Sequence, residues 1–201
     1  AAQQGLKVVL YEMRPEKGTG AHLTGYLAEL ICSNSLGSDL PDRAPGLLKA
    51  ELRRMGSLLL DCAAATAVPA GGSLAVGRDD FARLVTQRIE SHPNIRLVRE
   101  EVRSLPDGPC VVASGPLTSA TLAGALAVLA GQEHLYFFDA ISPIVAADSV
   151  NMEVAYRASR YGRGEEAVGD YINCPLDKEQ YDAFVRALLA AERIELRAFE
   201  E

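Results

Sequence analysis

The stretch AELICSNSLGSD sets one thiol, Cys32, directly ahead of three small polar side chains, Ser33, Asn34 and Ser35. A cysteine used only as a small hydrophobe has apolar neighbours on both sides. Here the apolar segment 26–31 gives way to a polar loop at the sulfur. The reactive form of cysteine is the thiolate, which needs donors or positive charge close by. The two hydroxyls, the amide and the adjacent backbone N–H groups are such donors. Cys32 is therefore the candidate catalytic thiol, with an inert structural cysteine as the alternative. Cys62, Cys110 and Cys174 form no CxxC pair and fit no zinc spacing, so no metal centre is expected. Thiols without a disulfide framework fit a cytoplasmic protein.

A second group of residues could hold a nucleotide. KVVLYE, residues 7–12, is a nearly continuous apolar run ending in an acid, which suits a strand buried in a parallel sheet. Before it, Gly5 suits the left-handed position that closes a helix. Helix, glycine, strand and acid form the second half of a βαβ dinucleotide-binding unit, whose acid bonds ribose hydroxyls. Glu12 occupies that place; a buried strand ending in a surface glutamate is the alternative. The glycine fingerprint of such a unit falls about 20 residues before the acid, which is upstream of residue 1. PCVVASGP reads as a buried strand over 110–113 breaking at Gly115, where a bare backbone lets a cofactor approach. Val102, in a strand-like piece, is a candidate for backbone contact with an adenine edge, or else an ordinary core valine.

A third group could meet a polyanion. YRASRYGRG carries Arg157, Arg160 and Arg163 interleaved with Tyr156 and Tyr161, a combination suited to phosphate contact and base stacking. A solvated loop is the alternative. Of the three histidines, only His22, in the loop ahead of Cys32, is a candidate for chemistry.

These residues need elements to hold them. Residues 13–43 read as loop, punctuated by Pro15, Gly18, Gly20, Gly25, Gly37 and Pro41. Residues 46–64 carry Leu47, Leu48, Leu52, Met55, Leu58 and Leu59 at helical spacing, with Cys62 on the same helix in the core. Asp79 or Asp80 caps a helix whose inner face is Phe81, Leu84, Val85 and Ile89. Strand 95–98, a helix over 118–130 and a helix from Asp177 to about Ala191 follow. Alternating strands and helices indicate an α/β doubly wound sheet. A shift to polar, Gly- and Arg-containing sequence near residue 148 divides the chain into domains 1–148 and 149–201.

At 48% hydrophobic and 23% charged the chain has ordinary globular composition. Its net charge of −7 argues against a generally basic nucleic-acid binder while permitting a local basic patch. No apolar run reaches the roughly 18 residues of a membrane span. The first residues lack a basic, cleavable leader. Both ends read as cut, so a fragment of something longer is expected.

Taken together, YEMRP, AELICSNSLG, GLLKAELRRMGSL, VPAGGSLAVGRDDF, VREEV, GPLTS and RYGRG followed by DYINCPL resemble the folate- and FAD-dependent tRNA (uracil-5-)-methyltransferases of the TrmFO type. The similarity runs over essentially the whole chain. Gid-type tRNA-modifying flavoproteins share the general fold without these strings in this order. The resemblance implies an FAD-binding, Rossmann-like domain and the start of an inserted tRNA-facing α/β domain. It implies a bacterial cytoplasmic enzyme that methylates carbon 5 of the T-loop uridine of tRNA. Methylenetetrahydrofolate would give the carbon and reduced FAD, recharged by NAD(P)H, the electrons. By the same resemblance Cys32 is essential, Glu12 and Arg14 lie on the adenosine side of FAD, and Gly115 lies beside the cofactor. TGAHLTG, residues 19–25, departs from the family's T-P-A-H-H-T-D at Gly20, Leu23 and Gly25. Cys174 is read as structural. No protein partner is evident, and the stretch by itself is expected to be inactive. The alternatives from other classes are a flavoprotein oxidoreductase using a redox thiol on a small molecule, and a non-catalytic remnant.

Overall fold

The structure is a computed structural model that describes residues 1–131, 145–159 and 169–192. The chain divides into two units, 1–68 with 73–142, and 69–72 with 143–201.

The first unit opens with a short 3-10 turn, Ala2–Gln4, closed by Gly5 at φ 85° with its N–H on the Ala2 carbonyl. That is the left-handed closure expected of Gly5. Strand β1, Val8–Glu12, follows and pairs in parallel with β5, Ile95–Arg99, placing Glu12 opposite Arg99. Parallel pairing requires a long crossover. Here the crossover contains a second, antiparallel sheet. Its strands are β2, Ser35–Ser38, β3, Ala67–Val68, and β4, Ser73–Val76, in the order β2-β4-β3. The pairing of β2 with β4 is irregular between Ser35 and Ser38, where Gly37 takes φ 79°.

Helices α1, Ala44–Arg54, α2, Leu58–Ala65, and α3, Arg78–Glu90, also lie in the crossover. The single helix expected over 46–64 is two. Gly56, at φ 71°, ends the first, with its N–H on the Arg53 carbonyl and the Ser57 N–H on Leu52. Glycine adopts this conformation without the Cβ clash other residues suffer. The cap of α3 is Gly77, not an aspartate; Asp79 and Asp80 sit in the first turn, where carboxylates complement the helix dipole.

The core of this unit gathers Leu27, Leu60, Cys62, Ala63, Leu74, Val76, Phe81 and Val85, with Leu10, Leu97, Leu84 and Ile89 against it. Thus α3 buries the face its spacing indicated. Burying one such side chain stabilises by about 2 kcal/mol. The buried strand expected at 110–113 is absent: those residues are irregular, and Val111 is 92% exposed. Among the described residues, nothing pairs with that segment, and an apolar run without a partner does not form a strand. Val102 likewise lies in irregular chain. Helix α4, Ala120–Ala130, is capped by the Ser119 hydroxyl accepting from the Leu122 N–H, and ends at Gly131, φ 63°. Apart from Thr121 it is apolar, and Val128 and Leu129 are exposed.

In the second unit, β6, Tyr156–Ala158, and β7, Tyr171–Asn173, form an antiparallel pair. Helix α5, Lys178–Ala190, starts at a full capping box: the Asp177 side chain accepts from the Gln180 N–H and the Gln180 side chain from the Asp177 N–H. Tyr171 donates its hydroxyl proton to the Ala70 carbonyl, and the Gly71 N–H donates to Asp170. Among the described residues, no helix is long and apolar enough to cross a membrane.

Candidate active site

Strand β1 delivers Glu12 to the carboxyl end of the parallel pair, where the Glu100 N–H donates to its backbone carbonyl at 3.1 Å. Its carboxylate meets Arg14 at two points: Nε donates to Oε1 and Nη2 to Oε2, both at 3.1 Å. The Arg14 backbone N–H adds a third bond to Oε1 at 3.0 Å. An ionised carboxylate has about four acceptor sites, so one remains on Oε2. Burial works against the charge on Glu12, but the Arg14 hydrogen bonds and the Arg14 and Arg99 charges outweigh it and hold its carboxyl below the usual glutamate value.

Arg14 is 5% exposed and has a second carboxylate partner, Glu29, with Nη1 donating to Oε2 at 3.0 Å. Glu29 in turn accepts the backbone N–H of Leu23 at 2.8 Å and of Thr24 at 3.1 Å, and the Thr24 hydroxyl at 2.7 Å. Burial raises its pKa, and these bonds with the nearby His22 overcome that and lower it. Arg99 donates to the carbonyls of Arg14 at 3.0 Å and Gly25 at 2.7 Å, stitching the loop to β5. His22 Nδ1 meets the Thr19 hydroxyl at 2.7 Å; burial and the Arg14 charge lower its pKa.

Three residues beyond Glu29 comes Cys32, which is exposed. The turn carrying it is pinned on both sides. Ahead of it, the Leu27 N–H donates to the buried Thr86 hydroxyl of α3 at 2.8 Å. Behind it, Asn34 is held by β4: Nδ2 donates to the Val76 carbonyl at 3.1 Å and the Val76 N–H donates to the Asn34 carbonyl at 3.0 Å. Asn34 thus serves as an anchor for the turn. Cys62 is its opposite, a core thiol that is 2% exposed and whose pKa burial raises.

Glu12, Arg14 and the loop leading into Cys32 are therefore one connected group. Val102 is half-buried, two residues past Glu100. Gly115 is exposed at φ 69°, with open space where a Cβ would stand. Its turn is closed by Thr118, whose hydroxyl donates to the Gly115 carbonyl at 2.7 Å. Arg157 is exposed on β6, beside exposed Tyr156. Arg160 and Arg163 lie outside the described residues. Glu29, Thr24, Thr86 and Arg99 were not expected from the sequence; only the pairing of an acid in an apolar segment with a loop rich in backbone donors hinted at Glu29.

A family model described as "Glucose inhibited division protein A" matches residues 1–201. The chain belongs to this family. Proteins similar to it are named methylenetetrahydrofolate–tRNA-(uracil-5-)-methyltransferase TrmFO. The one from Rubrobacter xylanophilus is 58% identical over 201 residues, covering 100% of this chain and 44% of that protein. The one from Moorella thermoacetica is 55% identical over 201 residues, covering 100% and 45%. The one from Citrifermentans bemidjiense is 56% identical over 202 residues, covering 100% and 46%. The chain thus spans a little under half the length of these curated relatives. The mixed α/β architecture with its parallel β1–β5 pair agrees with the α/β fold expected from the sequence.

Proposed function

We propose that the protein containing this stretch methylates carbon 5 of the T-loop uridine in tRNA, using methylenetetrahydrofolate as carbon source, FAD as redox cofactor and NAD(P)H as reductant. The observation that carries this is the exposed thiol of Cys32, pinned by Thr86 and Asn34 and joined in sequence to the group around the strand-end acid Glu12. The names of the relatives, which specify methylenetetrahydrofolate and uracil carbon 5 of tRNA, support the carbon source and the methylated substrate.

The residues fit FAD. Glu12 keeps one acceptor site for a ribose hydroxyl, Arg14 holds that carboxylate in place, Val102 offers backbone past β5, and Gly115 leaves room for close approach. FAD, when bound and reduced by NAD(P)H, would supply the two electrons that take the transferred carbon from methylene to methyl. In the overall change a bond forms between that carbon and uracil C5, the C5 hydrogen leaves as a proton, and tetrahydrofolate is released. Uracil C5 is a weak nucleophile until a group adds at C6, and a thiolate is suited to that addition. Cys32 therefore acts as that nucleophile or moves the proton; either role needs the exposed sulfur. Residues 1–148 would form part of the FAD domain and 149–201 the start of a tRNA-facing domain, where Arg157, Arg160 and Arg163 meet phosphates. The location would be the cytoplasm.

The test is incubation of the full-length protein with unmodified tRNA, methylenetetrahydrofolate and NAD(P)H. 5-Methyluridine is the expected product. A yellow protein that instead only oxidises small thiols would favour an oxidoreductase.

A further inference from the structure

We propose that Glu29 is a positioning residue that couples the strand-end nucleotide site at Glu12 to the Cys32 turn. The inference rests on the FAD and thiol reading above and assigns a role to a residue which that reading leaves without one.

Glu29 has an unusual number of partners for a loop carboxylate. Its two oxygens accept three N–H or O–H groups from Leu23 and Thr24 and the guanidinium of Arg14. Through Arg14 it is one side chain away from Glu12. On its other flank, two residues separate it from Cys32. The residue before it, Ala28, sits at φ 55°, a left-handed conformation. That conformation costs an L-residue about 1 kcal/mol and persists where the surroundings impose it. The bonds to Glu29 on one side and to Leu27 from Thr86 on the other supply the imposition. A ligand that draws on the remaining acceptor site of Glu12 shifts the Arg14 fork. Among the bonds described, Glu29 joins the Arg14 fork directly to the segment that runs into the cysteine turn.

The test measures alkylation of Cys32 by iodoacetamide in the full-length protein, resolved by peptide mass, with FAD bound and with FAD removed. In the wild type the two rates are expected to differ about fivefold or more. In Glu29→Gln, which keeps the size but loses the charge, the ratio should fall close to one. The milder Thr24→Val removes one bond to Glu29 and should reduce the ratio part of the way, which keeps the test alive if Glu29→Gln folds poorly. Alkylation of buried Cys62 is the control for simple loosening and should stay slow. An unchanged ratio in both variants overturns the proposal, because direct shielding of Cys32 by FAD would not depend on Glu29. A wild-type ratio of one overturns it as well, as does parallel exposure of Cys62. Failure of the underlying reading looks different: the purified full-length wild type would show no flavin bands.

Discussion

The Arg14 guanidinium grips the Glu12 carboxylate with two bonds of 3.1 Å although only one residue separates them, and it does so while 95% removed from solvent. A cation so enclosed is tolerable because Glu29 and the Thr24 carbonyl complete its partners.

Removing it leaves two partly buried carboxylates without the cation they share. Arg14→Met is expected to destabilise the full-length protein by about 3 kcal/mol, read as a lower urea midpoint with an unchanged slope. A sign follows for pH. Both Glu12 and Glu29 have folded pKa values below the ordinary one, so their contribution is fully present above pH of about 4.3 and is lost as pH falls through the lowered folded values. Acid unfolding of Arg14→Met should therefore lack part of the steep loss of stability that the wild type shows below that pH.

Cys32→Ala is expected to keep FAD at the wild-type level and to lose methylation of tRNA, checked by visible absorbance and by nucleoside analysis. The two thiols of this unit should also differ in kind. Native Cys32 should react with iodoacetamide about tenfold or more faster than Cys62, whose burial disfavours the thiolate. Normal methylation by Cys32→Ala would remove the sulfur from the chemistry.

Arg157 is exposed on β6, so its truncation costs little folding energy. Arg157→Ala should weaken tRNA binding and reduce the slope of log affinity against log salt by about 1. Binding titrations at several salt concentrations check this; an unchanged slope returns the residue to the solvated surface.

Gly46, in the first turn of α1, lies so close to the 39–40 backbone that a Cβ would stand 1.9 Å from the Leu40 carbonyl oxygen. Gly46→Ala is expected to cost about 3 kcal/mol, because only backbone can yield there. A thermal melt of the full-length variant measures it.

Elements with a clean period were legible in the sequence. The apolar run of β1, the 3.6-residue spacing of α3 and the capping residues of α5 each carry their own local signal. Of the antiparallel sheet, the short strand β4 between the glycines and α3 was legible, but its partners were not, because β2 is SLGS and β3 has two residues, too short for alternation to show. Residues 110–113 misled in the opposite direction, since an apolar run reads as a strand whether or not a neighbour is present to pair with it. At the candidate site, Cys32 and Glu12 could be singled out by residue type and position. Glu29 could not, because its meaning lies in Arg14, fifteen residues away in sequence, and in backbone donors that exist only once the loop is folded.

Helix α4 has almost no polar face: from Ala120 to Ala130 its side chains are apolar apart from the Thr121 hydroxyl in its first turn, with Val128 84% and Leu129 72% exposed. Left uncovered, such a rod is a colloidal hazard, since contiguous apolar surface drives chains to associate. Preparations of this stretch alone should scatter light and bind hydrophobic dyes at concentrations where the full-length protein stays clear, and charged replacements at Val128 and Leu129 should restore clarity.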